Sequence, residues 1–203
     1  MRHILFSLYK CRNKRVRNFI LNLCRKIDGG EFTSLLMRDI FAHYHDVTIG
    51  LHSHGGCFTP CAMDPQTTIG RYCSIAHGVR VFNRDHPVNF KAMHAYFFNP
   101  KLGYSTTDPV PFTPLTIGND VWIGTNATIT ASVREIGDGA VIGSGANVAR
   151  NIPPYAIAVG NPARVVKFRF AKETIDRLLQ ERWWDQSLEE LLTDFDAFQT
   201  PLK

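Results

Sequence analysis

Long apolar runs are missing from this chain of 203 residues. A membrane-spanning helix needs about 18 or more apolar residues in succession. Every apolar stretch here is cut by charge or glycine well before that, so the sequence predicts one soluble globular domain with appendages. Paired cysteines are missing too. The five present, at 11, 24, 57, 61 and 73, are odd in number and scattered, which argues against a disulfide framework and for a reducing, cytoplasmic setting. Cys57 and Cys61 flank a CFTPC stretch that is not the CxxC of a zinc knuckle, and no second pair completes four ligands, so no metal is expected. No small-residue cleavage site follows the N-terminal segment. No serine-centred nucleophile elbow occurs, which argues against a covalent acyl-enzyme.

Charge is present but uneven. The net charge is +5, yet residues 1–28 hold eight Lys or Arg and one Asp, leaving an excess of two acidic residues in the remainder. In that segment Ile4, Leu5, Leu8, Val16, Phe19, Ile20, Leu23 and Ile27 recur mostly at helical spacing, with Arg12, Lys14, Arg15, Arg17 and Arg25 interleaved. The pattern predicts an amphipathic arm. Its preferred role is packing on the rest of the fold or on a neighbouring subunit. The competing role is peripheral attachment to an anionic membrane surface, which would place the protein at the inner face of the membrane. No nucleic-acid-binding motif accompanies the basic residues, so nucleic acid is not expected as a partner.

The most specific pattern is a period of six. Residues 117–148 divide into IGNDVW, IGTNAT, ITASVRE, IGDGAV, IGSGAN and a final Val148. Six fits neither the 3.6 of a helix nor simple alternation, but it fits a short strand and a tight corner, repeated three times per triangular coil. Ile117, Ile123, Ile129, Ile136, Ile142 and Val148 would then point inward as stacked rungs. Ala127, Ala140 and Ala146 would fill crowded inner positions, and Gly118 and Gly124 the corners. The one seven-residue interval, Ile129 to Ile136, predicts an outward bulge near Arg134 or Glu135. The same metre appears at Ile69, Ile75 and Val81 and more faintly at Ile49. An antiparallel sandwich is disfavoured because its turns usually recur every 8 to about 12 residues.

Together with TIGNDVWIG (116–124), NIPPYAIAVGNPARVVKFRF (151–170) and the Trp183-Trp184 pair, this metre resembles the hexapeptide-repeat acyltransferases, specifically their antibiotic and polysaccharide O-acetyltransferase branch. The resemblance spans roughly residues 45–185. It implies an all-β core, a left-handed parallel β-helix with an extruded loop, an N-terminal helical arm and C-terminal α-helices. The expected divisions are 1–44 for the arm, 45–170 for the β-helix with the loop 87–116, and 171–203 for a helical cap. Within the cap a helix is expected over 172–184, followed by a second one opened by a capping box of Ser187 and Glu190.

The metre stops after His86 and resumes at Ile117. So long a connection inside a compact domain is usually functional or disordered, and Phe90, Tyr96, Phe97, Phe98 and Tyr104 provide aromatic surface to order it. The segment FNRDHPVNFKAMHAYFFNP resembles the loop in which polysaccharide O-acetyltransferases carry a catalytic histidine, written Asn-His-Pro with a second histidine eight residues on. Here those positions are His86 and His94, with Asp85 in place of the asparagine. Acyl transfer to a hydroxyl wants a base near neutral pKa that takes the hydroxyl proton and then gives one to the leaving thiolate, a role suited to imidazole. His86 is therefore the expected base, and Asp85 and His94 are expected on the acceptor side. His52, His54 and His77 are expected to face solvent or a neighbouring chain.

The resemblance further implies that Trp122, Thr125, Ser144, Ala149, Arg150, Arg164 and Lys167 line the site of acetyl-CoA, the acyl donor. It also implies a homotrimer, with Trp122 near the catalytic histidine of an adjacent subunit. Many family members have Thr-Lys where this chain has Ala149-Arg150. The expected activity is acetyl-CoA-dependent O-acetylation of a hydroxyl, on a sugar of a cell-envelope polysaccharide or its precursor. The alternatives are an antibiotic O-acetyltransferase of streptogramin or chloramphenicol type, a non-catalytic assembly subunit, and a zinc lyase resembling the γ-type carbonic anhydrases.

Overall fold

A computed structural model describes residues 1–202; Lys203, the last residue of the expected cap, lies outside them. Thirteen short strands carry the core. They are β1 (Val47–Ile49), β2 (His54–Gly55), β3 (Thr67–Ile69), β4 (Ser74–Ile75), β5 (Arg80–Val81), β6 (Leu115–Ile117), β7 (Trp122–Ile123), β8 (Thr128–Ile129), β9 (Glu135–Ile136), β10 (Val141–Ile142), β11 (Asn147–Val148), β12 (Ala156–Gly160) and β13 (Ala163–Phe168). The chain visits three sheets in turn. One has the order β1-β3-β6-β9, the second β13-β12-β10-β7-β4-β2 and the third β11-β8-β5. Every pairing is parallel except β12 with β13, which form an antiparallel hairpin.

The registers show why the repeat is six. Ile49, Ile69, Ile117 and Ile136 stand in line on the first sheet, Ile75, Ile123 and Ile142 on the second, and Val81, Ile129 and Val148 on the third. All are buried, as are Ala127, Ala140 and Ala146. Two-residue strands leave one inward side chain each and the three-residue strands two, so branched aliphatics fill the axis and the alternate residues face outward. At the seven-residue interval Arg134 and Glu135 are both exposed. The rungs on either side remain in register, Ile129 with Val148 and Ile117 with Ile136.

The N-terminal arm is not one helix. It comprises α1 (Arg2–Leu8), α2 (Lys14–Ile27), α3 (Gly30–Thr33) and α4 (Leu35–His45). The chain breaks after α1 because Asn13 caps α2, its side chain accepting hydrogen bonds from the amides of Arg15 and Val16. Leu5, Tyr9, Ile20, Leu21 and Cys24 join the same core as the rungs, whereas Ile4, Leu8 and Phe19 remain exposed. Arg38 of α4 is buried, and its guanidinium donates to the carbonyls of Phe32, Ser34, Gly50 and Ser53, tying the helices to the first coil.

At the other end, α5 (Lys172–Glu181) is shorter than the 172–184 expected. Arg182 takes a left-handed conformation (φ 46°), and Trp183–Asp185 form a 3₁₀ turn that buries Trp184 completely. The Ser187–Glu190 capping box is present at the start of α6 (Leu188–Leu192), which is followed by α7 (Phe195–Gln199). Tyr155, Leu178 and Trp184 form a second small core where the cap meets the coil. No helix of the described residues is long and apolar enough to cross a membrane.

Candidate active site

The long excursion leaves the coil after β5 and returns at β6. Asn83 fixes both of its roots. It is almost fully buried, its amide donates to Asp64 Oδ2 at 3.0 Å, and its Nδ2 donates to the Pro65 carbonyl and to Thr67 Oγ1, both at 2.9 Å. Its carbonyl accepts from the Thr113 amide on the returning strand at 2.7 Å. Next in sequence, Arg84 crosses the loop to Asp108 at 2.5 Å and lays its guanidinium over the rings of Phe98 and Phe112. Burial pushes the Asp108 carboxyl up, but the Val110 amide and Arg84 outweigh it and leave it below its ordinary value.

His86 sits on this clamp. Its ring is exposed, packs edge-on against buried Phe98 with centroids 5.4 Å apart, and holds Nδ1 2.8 Å from the Met93 carbonyl. A carbonyl can only accept, so Nδ1 carries the proton, and in the neutral ring Nε2 has its lone pair free. That is the tautomer a general base requires. Asp85 is exposed beside it. His94 caps the 3₁₀ turn Ala95–Phe97, its Nδ1 accepting from the Tyr96 amide at 3.3 Å, and its ring lies against Tyr96.

The other residues singled out from sequence lie on three different parts of the coil. Ala149 and Arg150 follow β11, at the edge between the third and first sheets, which is also the edge the loop leaves from. Thr125 and Ser144 are exposed at the next edge, after β7 and β10, where the Thr125 carbonyl accepts from the Gly145 amide of the following coil at 2.8 Å. Trp122, Arg164 and Lys167 are exposed on the second sheet, with Trp122 at 56% of its full accessible area. Arg150, Arg164 and Lys167 enter no ion pair among the described residues. His52 and His54 are half-buried, stacked on Tyr72 and packed on Phe32, and His77 is exposed.

Asn83, Arg84 and Asp108 were not picked out from sequence. A buried asparagine and a cross-loop ion pair have no periodic signature, and only their closeness to His86 could have drawn notice. No group of three or more His, Cys, Asp or Glu among the described residues is placed to hold a metal. A cavity of about 700 Å³ between α1 and α4, lined by Arg2, His3, Phe6, Leu36, Asp39, Ala42 and His43, contains none of these residues.

No family model matches the chain. Known proteins do. A probable macrolide acetyltransferase of Lysinibacillus sphaericus is 40% identical over 134 residues, 63% of this chain and 74% of the relative. A chloramphenicol acetyltransferase of Escherichia coli is 36% identical over 152 residues, 68% of this chain and 72% of the relative. The chain belongs to the hexapeptide-repeat acyltransferases. A galactoside O-acetyltransferase of Escherichia coli K12, 35% identical over 127 residues and matched over 56% of its length, lies further off. Among solved structures, an N-acyltransferase from Bacillus cereus superposes with a TM-score of 0.51 at 23% identity, covering 68% of this chain and 69% of the other. As a member of this family the protein is an acyltransferase.

Proposed function

We propose that this acyltransferase moves the acetyl group of acetyl-CoA directly onto an acceptor hydroxyl, with His86 as general base. One observation carries the reading: the Met93 carbonyl occupies Nδ1 and leaves Nε2 free on an exposed ring. Nε2 takes the hydroxyl proton as the oxygen attacks the thioester carbonyl. The resulting tetrahedral oxyanion collapses, the carbon–sulfur bond breaks, and the imidazolium returns the proton to the CoA thiolate. Base and acid are the same atom, so no covalent enzyme intermediate is needed.

For the donor, Trp122, Thr125, Ser144, Ala149, Arg150, Arg164 and Lys167 remain the proposed lining. Thr125 and Ser144 offer small side chains along an edge suited to a narrow pantetheine arm, and the unpaired cations suit its phosphates. Because these residues and His86 occupy different edges and faces of one coil, we read the working unit as a homotrimer whose sites lie between subunits. The apolar stripe on the second sheet supports this: Trp122, Val141 and Ile157 are consecutive register partners, and Trp122 is largely exposed. Family membership supports a left-handed coil and the division at residues 44 and 170.

The acceptor we propose is a sugar hydroxyl of a cell-envelope polysaccharide or its precursor, a reading supported by the Asp-His-Pro loop with its second histidine, His94. A second reading, an antibiotic hydroxyl, is favoured by the names of the macrolide and chloramphenicol relatives. Thiol release from acetyl-CoA across a panel of sugars and antibiotics separates the two. His86→Ala is expected to lower kcat on the accepted substrate by at least about a hundredfold; full rate in that variant would sink the mechanism.

A further inference from the structure

Beside His86 the loop carries a second feature that the chemical step does not use. Tyr96, Phe97, Tyr104, Ser105 and Thr106 line a cleft of about 550 Å³. Three of its five residues are aromatic, and Phe97 and Tyr104 expose 64% and 77% of their area. The Tyr96 and Tyr104 rings meet edge to face, with centroids 5.4 Å apart and planes at 70°, so they form two walls of a corner rather than a closed stack. The lining also supplies hydroxyls. Ser105 Oγ is engaged with Thr107, but the hydroxyls of Tyr96, Tyr104 and Thr106 make no hydrogen bond to other described residues. No charged side chain lines the cleft, although the chain as a whole carries +5.

The cleft is physically linked to the base. The Met93 carbonyl holds His86, the neighbouring His94 caps the turn that presents Tyr96, and the His94 ring lies 4.5 Å from the Tyr96 ring. Met93 and Tyr96 are three positions apart, a span of at most about 11 Å.

We propose that this corner is the acceptor subsite and that it takes a non-anionic pyranose, whose C–H face lies on the tyrosine rings while its hydroxyls meet those of the cleft. The inference rests on the O-acetyltransferase reading and names its substrate class. An aromatic face offers a flat apolar contact that matches the axial C–H groups of a sugar. A carboxylate on the same ring would meet the negative faces of the rings with no cation in the lining to pair with. His94, expected from sequence to touch the acceptor, becomes on this view a positioning residue that sets Tyr96.

The test uses the full chain and needs no turnover. Saturation-transfer NMR is recorded with methyl gluco-, galacto- and mannopyranosides, with the corresponding methyl glucuronide, and with a neutral nitrophenyl alcohol. The expected result is saturation on the ring C–H protons of at least one neutral glycoside. That signal should fall about fivefold in Tyr104→Ala, the size of one lost ring contact, and should be weak or absent for the glucuronide. Absence of signal from all neutral glycosides, equal signal from the glucuronide, equal signal in Tyr104→Ala, or binding of the nitrophenyl alcohol alone would each overturn the proposal. Calorimetric titration of the same samples with acetyl-CoA tests the underlying reading separately. Loss of donor binding there would defeat the acetyltransferase reading, whereas donor binding without glycoside binding would defeat only the subsite.

Discussion

His86 and Gly124 show what one residue decides. The Nδ1–Met93 contact means that orientation and basicity reside on opposite nitrogens of the same ring. His86→Asn separates them, since an amide N–H can still donate to the carbonyl but offers no base. Its kcat is expected to fall as far as that of His86→Ala, about a hundredfold or more, with little change in KM for either substrate, as steady-state kinetics would show. A variant that recovers most of the rate would mean that the ring's role is to hold the loop. Gly124 answers to space rather than chemistry. A Cβ there would stand 2.6 Å from the Ser144 nitrogen and 2.9 Å from its Cα, both backbone atoms of the next coil. Neither can move without shifting a rung, so Gly124→Ala is expected to cost about 2 kcal/mol or more in chemical denaturation. Gly145 is the control. Its φ is +68° but nothing lies within 4 Å of a Cβ, so Gly145→Ala should cost only the left-handed strain, about 1 kcal/mol.

Between elements, a single carboxylate joins three helices. Asp28, just past α2, accepts from Ser34 Oγ at 2.7 Å and from the Leu36 amide at 2.9 Å at the start of α4, and pairs with Arg2 of α1. Burial pushes its pKa up, but the Ser34 hydroxyl, the Leu36 amide and Arg2 together bring it below the ordinary carboxylate value. A folded-state pKa below the unfolded one means stability that is present above the unfolded value, near pH 4, and lost as pH falls through the folded value. Asp28→Asn is therefore expected to lower stability at neutral pH and to flatten its fall on acidification, as read by circular dichroism of the helices between pH 6 and 2. An acid profile identical to the parent's would show that Asp28 does not link these helices. How far such elements were legible in sequence depends on their period. Ile117, Ile123, Ile129 and Ile136 repeat at six or seven around a shared axis, so their strands could be placed. The break between α1 and α2 is hidden because the helical spacing from Leu8 to Val16 runs straight through the Asn13 cap. The β12–β13 hairpin escaped notice for a related reason: after Val148 the metre ends, and alternation over ARVVKF is interrupted by two adjacent valines. The position of His86 at the root of the loop was legible because it stood where the metre broke. Asn83 and Arg84 were not, since their partners, Thr67, Thr113 and Asp108, are distant in sequence.

At the scale of the molecule, the placement of the site residues constrains the assembly. The loop bearing His86 and the Ala149–Arg150 pair share one edge, Thr125 and Ser144 occupy the next, and Trp122, Arg164 and Lys167 lie on the second sheet. On the proposed donor lining, these groups face different ways on one prism. A ring of copies can turn all three toward one bound donor, because the contact between one copy's face and the next copy's edge is heterologous and closes after a fixed rotation. The second sheet is suited to such a contact: beyond Trp122, Val141 and Ile157, it exposes Val165, Val166 and Phe168 on β13. Replacing Trp122 by lysine puts a charge at one end of that stripe while leaving the inward rung, Ile123, untouched. On the proposed trimer, the parent is expected to sediment as three chains and Trp122→Lys as one, with the parent's circular dichroism retained and acetyl transfer lowered by about a hundredfold. A variant that remains trimeric and active would remove Trp122 from the interface. A monomer with full activity would show that one coil contains a complete site, and the composite arrangement would have to be abandoned even though the base and the fold remained as described.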